Sequence, residues 1–364
     1  MIPVTKPYLP SREKLERYID GIYERAWLTN NGELVQELTK RLEQYLEVEN
    51  LLLVANGTLA LQIAYRALGI TGRNEPTEAI TTPFTFVATA SSLKWEGVEP
   101  VFVDIHPNTW CLKPENIEPA ITPRTQALVP VHVFGNACDV DAIDAIAKKH
   151  KLKVIYDASH AFGVKYQGES LLKYGDAATL SFHATKLFHT GEGGAIVFKH
   201  KEDLERAKKM TNFGITGPEM IEELGINAKM SELQAAMGLC VLDEMEVNLK
   251  ARGAIWHRYE QALSQTLQLQ AKPAALNYNY AYFPVVFENE EQAVHIAATL
   301  KENGVLARRY FYPSLENLEY LATESINPVS SDISKRILCL PIFSSMEKEV
   351  QSLILEKIKT SSVN

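Results

Sequence analysis

The sequence predicts an α/β protein, with a mostly parallel mixed sheet flanked by helices and a smaller C-terminal α+β region. Two patterns carry this reading. Between residues 51 and 198 short β-prone runs alternate with helical stretches, the mark of βα units. A continuously helical stretch from about Ser231 to Ser264 then leads into a second, smaller set of strands and helices after Pro273. At 364 residues the chain can bury a substantial core, and its length suits two domains, drawn as 1–245 and 246–364.

Taken in order, residues from Ser11 to about Leu46 show helical spacing broken at W-L-T-N-N-G (Trp27 to Gly32). The Asn31-Gly32 turn signal makes this two helices around an exposed loop. The expected strands are Leu51–Ala55, Glu78–Thr82, Pro100–Val103, Ala127–Val133, Leu152–Asp157, Ala177–Phe182 and Gly194–Phe198. S-E-L-Q-A-A-M-G-L-C-V-L-D-E-M reads as one long helix, or two joined near Asn248. The C-terminal region is expected to hold a strand at Tyr280–Phe287, a helix at Glu290–Asn303, a strand at Val305–Arg309 and a closing helix near Met346–Ile358.

The composition, 46% hydrophobic and 23% charged, is that of a soluble globular protein. A formal net charge of -8 without clustered Lys or Arg disfavours nucleic-acid binding, which needs cations to displace phosphate counterions. The four cysteines lie far apart with no metal-binding spacing, so no metal site is expected. The N-terminus lacks the apolar core of a signal peptide, and no run approaches a membrane span. A cytoplasmic protein is the expectation.

Chemistry concentrates in a few segments. Lys186 lies in S-F-H-A-T-K-L-F-H-T-G-E-G-G, and Asp157 closes the apolar run V-I-Y-D. A lysine can form an imine with an aldehyde, and a buried carboxylate can hold a pyridine nitrogen protonated. These are the two protein groups that pyridoxal 5'-phosphate chemistry needs most. His160, three residues beyond Asp157, could orient that carboxylate or meet a ring oxygen of the cofactor. In A-N-G-T-L-A-L, Gly57 permits a tight turn at a helix start, so the amides of Thr58 and Leu59 could face a phosphate. The helix dipole adds only about 0.3–1 kcal/mol, so several hydrogen bonds must share that work. Phe84 and Phe86 in T-P-F-T-F-V-A-T-A could stack on a planar ring, and periodicity alone does not choose between them. Ser181, on the strand before Lys186, could be a further phosphate donor. Asn227 and Lys229, in G-I-N-A-K-M-S-E-L-Q-A-A, precede the long helix, where capping and solvation are the plain reading.

In this order the segments resemble the DegT/StrS-type family of pyridoxal-phosphate-dependent sugar aminotransferases. The likeness covers essentially the whole chain, from W-L-T-N-N-G through N-G-T, P-F-T-F-V-A-T, P-V-F-V-D-I, P-V-H-V-F-G, D-A-S-H-A-F-G, S-F-H-A-T-K, G-E-G-G and N-A-K-M-S-E-L-Q-A-A to R-R-Y-F-Y-P. It implies the fold type I aminotransferase architecture and active sites at a homodimer interface. It also implies Lys186 as the covalent anchor, Asp157 at the pyridine nitrogen, Phe86 on the ring and His160 near the ring hydroxyl. Thr58, Leu59 and Ser181, behind Gly57, would hold the phosphate, and Asn227 would reach the cofactor of the neighbouring subunit. Pyridoxamine 5'-phosphate would be the intermediate form.

F-H-x-x-K followed by E-G-G resembles members that aminate sugar carbon 4. R-R-Y-F-Y-P and A-S-H resemble members forming dTDP-4-amino-4,6-dideoxyglucose. The resemblance therefore implies transfer from an amino acid, L-glutamate, to dTDP-4-keto-6-deoxyglucose in amino-sugar (O-antigen, lipopolysaccharide) biosynthesis. Thr29, Asn30, Asn31, Lys229, Tyr310, Phe311 and Tyr312 are the expected substrate contacts. A carbon-3 aminotransferase or a lyase on the same scaffold stays open, as does a non-catalytic pyridoxal-phosphate-binding regulator. The absence of G-x-G-x-x-G after the first strand weighs against a nicotinamide oxidoreductase.

Overall fold

The computed structural model describes residues 1–321 and 326–361. Its centre is a seven-stranded sheet: β1 (Leu51–Val54), β2 (Thr77–Thr81), β3 (Val98–Phe102), β4 (Thr125–Val129), β5 (Lys153–Asp157), β6 (Ala177–Ser181) and β7 (Gly194–Phe198). They lie in the spatial order β1-β7-β6-β5-β4-β2-β3. β7 runs antiparallel to both of its neighbours, and the remaining pairs are parallel. The sheet is thus mixed and mostly parallel, as expected.

These strands read as near-continuous apolar runs because both of their faces are covered. Successive side chains go to opposite cores. Val154 and Tyr156 join one core with Leu128 and Val197, while Ile155 joins the other with Val129 and Ile196. Helices α1 (Arg12–Arg25) and α2 (Glu33–Leu46) flank a loop exposed over residues 27–31, α3 (Gly57–Ala67) follows β1, and α4 (Ala88–Trp95) follows β2.

The long helical stretch divides at Glu244, not Asn248, into Glu232–Asp243 and Met245–Leu263. Beyond it, three antiparallel strands, Gln268–Leu269, Phe283–Val286 and Ile337–Leu340, form a small sheet. Helices Glu290–Glu302, Pro328–Arg336 and Lys348–Ser361 accompany it. Trp256 and Tyr259 pack with Phe283, Val285, Leu338 and Ile354 in a separate core.

The expected strand at Val305–Arg309 is not one. Val305 bridges Ile2, and Arg308 bridges Cys339, so the segment crosses between two partners and pairs once with each. The strand at Ile337–Leu340 had no forecast. Four apolar residues in a row cannot be told from a helix turn by periodicity.

Candidate active site

Parallel strands deliver their carboxyl ends to one rim, the place where α/β sheets build sites. β7 joins the same rim by its first residue, since Gly194 pairs with both Val54 and Ser181. Two glycines make this junction possible. A Cβ on Gly57 would lie 2.8 Å from Ser181 Cβ, and one on Gly194 would lie 2.7 Å from the Asn56 carbonyl carbon. Extended Asn56 caps α3, its Oδ1 accepting from the Leu59 amide at 2.9 Å.

A cavity opens above this rim. Gly57, Thr58 and Ser181 form one wall, with Phe86, Asp157, His160 and Lys186 beside them. Tyr310 and Phe311 reach it from the C-terminal region. Its volume is about 290 Å³, near the lower end of the range for small-molecule sites.

Asp157 is 5% exposed and carries no ion pair among the described residues. Its Oδ2 accepts from Thr89 Oγ1 at 2.8 Å, and its Oδ1 accepts from the Ser159 amide at 3.1 Å. Such neutral donors fix the carboxylate without neutralising it, and a buried carboxylate in that state favours a cation beside it. Lys186 Nζ donates to Tyr282 Oη at 3.3 Å. Burial pulls the lysine down from its ordinary value to about 8, opposed by the Asp157 carboxylate. A sizeable neutral fraction near pH 8 is what both imine formation and proton transfer require.

His160 Nδ1 accepts from the Phe134 amide at 3.1 Å, and its ring stacks parallel to Phe134 and Phe311. Burial, with Lys186 nearby, holds this imidazole well below its usual range, hence neutral. The two phenylalanines part company. Phe84 is fully buried with its edge against Phe134 and Phe311, whereas Phe86 is half exposed on the cavity wall.

Other sequence candidates fall elsewhere. The Leu59 amide is occupied by Asn56, and its side chain lines a different groove with Arg66 and Trp95. Thr29, Asn30 and Asn31 are exposed and outside the cavity, the last two with left-handed backbone. Asn227 is exposed and, like Asn212, accepts from Lys229 Nζ, at 2.8 and 2.9 Å respectively. Tyr312 lies against the Arg309 guanidinium, 3.5 Å from its ring centre, and does not line the cavity.

Sequence reading missed Thr89, Tyr282 and Arg308. Thr89 had a local signal, a second threonine four residues earlier in the turn that leads into α4, with the two hydroxyls 2.9 Å apart. Tyr282 lies 96 residues from Lys186 and Arg308 further still, and only tertiary packing brings them to the cavity.

Comparison with known proteins places this geometry. The model of the DegT/DnrJ/EryC1/StrS aminotransferase family matches residues 11–359. The chain belongs to this family. It is 42% identical over 363 residues to a dTDP-4-amino-4,6-dideoxy-D-glucose transaminase of Shigella dysenteriae, covering 98% of each chain. An Escherichia coli transaminase of the same name is 37% identical, with 96% of this chain and 95% of the relative covered. The crystal structure of DesI in the presence of its TDP-sugar product superposes with a TM-score of 0.93 at 31% identity, covering 100% of this chain and 93% of that one.

As a DegT/DnrJ/EryC1/StrS aminotransferase the protein is a pyridoxal-phosphate enzyme. The residues present fit that cofactor. Asp157 offers a buried carboxylate with no ion pair among the described residues, Lys186 a lowered amine, and the glycine-cleared start of α3 a set of anion donors. Among the described residues no cluster of three His, Cys, Asp or Glu could hold a metal, and no helix is long and apolar enough to cross a membrane.

Proposed function

We propose that the enzyme moves the amino group of L-glutamate to carbon 4 of dTDP-4-keto-6-deoxyglucose, yielding a nucleotide-linked amino sugar for a surface glycan such as O-antigen. The observation that carries this is Lys186 and Asp157 on one cavity, in a chain 42% identical to a transaminase named for that product. When bound, pyridoxal phosphate supplies an electron sink for the pair left behind when a C–H bond next to nitrogen is broken.

The chain's own residues do the rest. Asp157, steadied by Thr89 and the Ser159 amide, would hold the proton on the pyridine nitrogen. Lys186 takes the α-proton of glutamate, and in the second half-reaction returns a proton to sugar carbon 4. Thr58, Ser181 and the Gly57 and Thr58 amides would hold the phosphate, and Phe86 would cover one ring face. Neutral His160 offers a hydrogen bond without adding charge. Tyr310 and Phe311 give the sugar nucleotide an apolar wall.

The active unit in this proposal is a homodimer in the cytoplasm. Phe213, Ile215, Met220, Ile221, Leu224 and Ile226 are all exposed on the segment that carries Asn227 and Lys229. So many exposed apolar side chains on one short segment favour a covering partner, and a second copy would bring Asn227 to the neighbouring cavity. The Trp27–Asn31 loop, also exposed, would approach with it. Light scattering at micromolar concentration should give twice 40.8 kDa.

The deciding experiment supplies purified protein with pyridoxal phosphate, L-glutamate and dTDP-4-keto-6-deoxyglucose, and follows 2-oxoglutarate and the new sugar nucleotide. Production of both in equal amounts supports the proposal. Release of 2-oxoglutarate only with a 3-keto isomer would move amination to carbon 3.

A further inference from the structure

Three residues on one face of the helix Met245–Leu263 reach the two sides of the Lys186 contact. Asn248 Nδ2 donates to the Leu187 carbonyl at 3.2 Å, so it grips the residue next to Lys186. Arg252 donates to the carbonyls of Tyr280 and Ala281, at 3.2 and 2.6 Å. Trp256 Nε1 donates to the Tyr282 carbonyl at 3.1 Å, and the one proton of Tyr278 Oη lies between the Phe134 carbonyl at 2.8 Å and that of Tyr282 at 3.1 Å. Residues four apart lie above one another on a helix, and all three are buried.

Arg252 is the telling member. It is 5% exposed and has no ion pair with a carboxylate among the described residues. A buried guanidinium is unfavourable unless its donors are satisfied, and here they are given to the chain leading directly into Tyr282.

We propose that Tyr282 is a positioning residue for Lys186, its hydroxyl steering the free amine while the Asn248–Arg252–Trp256 face fixes their separation. A phenol hydroxyl accepts from an ammonium and donates to a neutral amine. It therefore stays bonded through both protonation states of a lysine that takes and returns a proton. Burial raises the Tyr282 phenol far above its ordinary value, so it stays protonated while Lys186 titrates. The other charged or titratable groups around the lysine are Asp157 at the end of β5, His160 after it, His183 and Glu192 on its own loop, and Arg308 and Tyr310 opposite.

This inference rests on Lys186 being the reactive amine, and the test separates the two. Full-length protein freed of cofactor is treated with formaldehyde and cyanoborohydride across pH 6–10, and methylation of Lys186 is read by mass spectrometry. Tyr282→Phe removes both bonds, of which the charge-assisted one to the ammonium is the stronger. Its labelling midpoint should fall by about one pH unit, and kcat of the reconstituted enzyme by about 10-fold, with the ketosugar KM little changed. A folded Tyr282→Phe protein with wild-type midpoint and kcat overturns the proposal. Asn248→Ser, which frees Leu187 but keeps the hydroxyl, should move the midpoint in the same direction by less. It serves the same test if Tyr282→Phe does not fold, an unchanged midpoint again overturning the idea. Imine absorbance that survives in Lys186→Ala overturns the assignment of Lys186 itself.

Discussion

Thr89 Oγ1 lies 2.8 Å from Asp157 Oδ2 and donates to it, tying the first turn of α4 to the end of β5. The Thr85 hydroxyl stands 2.9 Å behind Thr89, so the donor is itself oriented. A hydrogen bond to a charged group is worth roughly 1.5–3 kcal/mol, and here it sets which way the carboxylate faces. Thr89→Val keeps the shape and removes the donor. Turnover should fall by at least about 10-fold while the cofactor still binds. A steady-state assay beside a cofactor-absorbance titration checks this, and unchanged turnover would show that the Ser159 amide suffices.

Lys186 has a stability consequence that can be measured without turnover. Its folded value of about 8 lies below the ordinary 10.5 because burial penalises the ammonium. Below pH 8 both folded and unfolded chains hold the proton, and the folded state bears the full penalty. Between about 8 and 10.5 the unfolded chain binds more protons, so stability rises with pH through that window. Lys186→Met should therefore raise the melting temperature of the cofactor-free protein by roughly 2–4 °C at pH 7. The gain should shrink as pH approaches 10. Scanning calorimetry at pH 7 and pH 10 reads both values, and a gain that grows with pH would contradict the sign.

The two phenylalanines of P-F-T-F make a paired test. Phe84 is fully buried, so Phe84→Ala should cost about 3–5 kcal/mol of stability. Phe86 is half exposed on the cavity wall, so Phe86→Ala should leave the melting temperature nearly unchanged and weaken cofactor retention. Denaturant unfolding and dialysis against cofactor-free buffer separate the two effects. Equal destabilisation by both variants would place Phe86 in the core instead.

How much of this was legible in the chain follows from what each feature depends on. The seven strands of the main sheet began and ended within a few residues of expectation, because alternation of apolar runs with helical ones is a local signal. Lys186, Asp157, His160 and Phe86 were legible as an ordered set of motifs, and all four fall on one cavity. Tyr282 was not, because nothing near Y-F-P-V refers to a lysine 96 residues away. In M-S-E-L-Q only half of the capping is local. Ser231 and Gln234 form a capping box for their own helix. Glu232 instead accepts from the Leu34 and Val35 amides, each at 3.0 Å, capping α2 nearly two hundred residues upstream. Gly32 is there to admit it, since a Cβ would lie 2.5 Å from Glu232 Cδ. The Val305–Arg309 run failed as a strand because its backbone partners lie on two different segments, which β propensity does not encode.

The close approach of Gly57 to Ser181 yields the last prediction. Gly57 opens α3 with its Cα side against β6, and an added methyl carbon would stand 2.8 Å from Ser181 Cβ and 3.1 Å from Ser181 Cα. The second contact is backbone of a central strand and cannot swing away as a flexible side chain would. Gly57→Ala must therefore push the first turn of α3 off the sheet, at about 1–3 kcal/mol for a crowded interior. The displacement falls on Thr58 and on the amides beside it, the proposed phosphate donors, so cofactor affinity should drop more steeply than stability. Ser181→Gly in the same chain removes the nearer clash and leaves the backbone one. It should recover stability only in part, and affinity less still, since the serine hydroxyl is gone as well. Melting curves and pyridoxal phosphate titrations of the two single variants and the double variant give the coupling directly. Additive effects on both readouts would mean that α3 and β6 do not press on one another at this point.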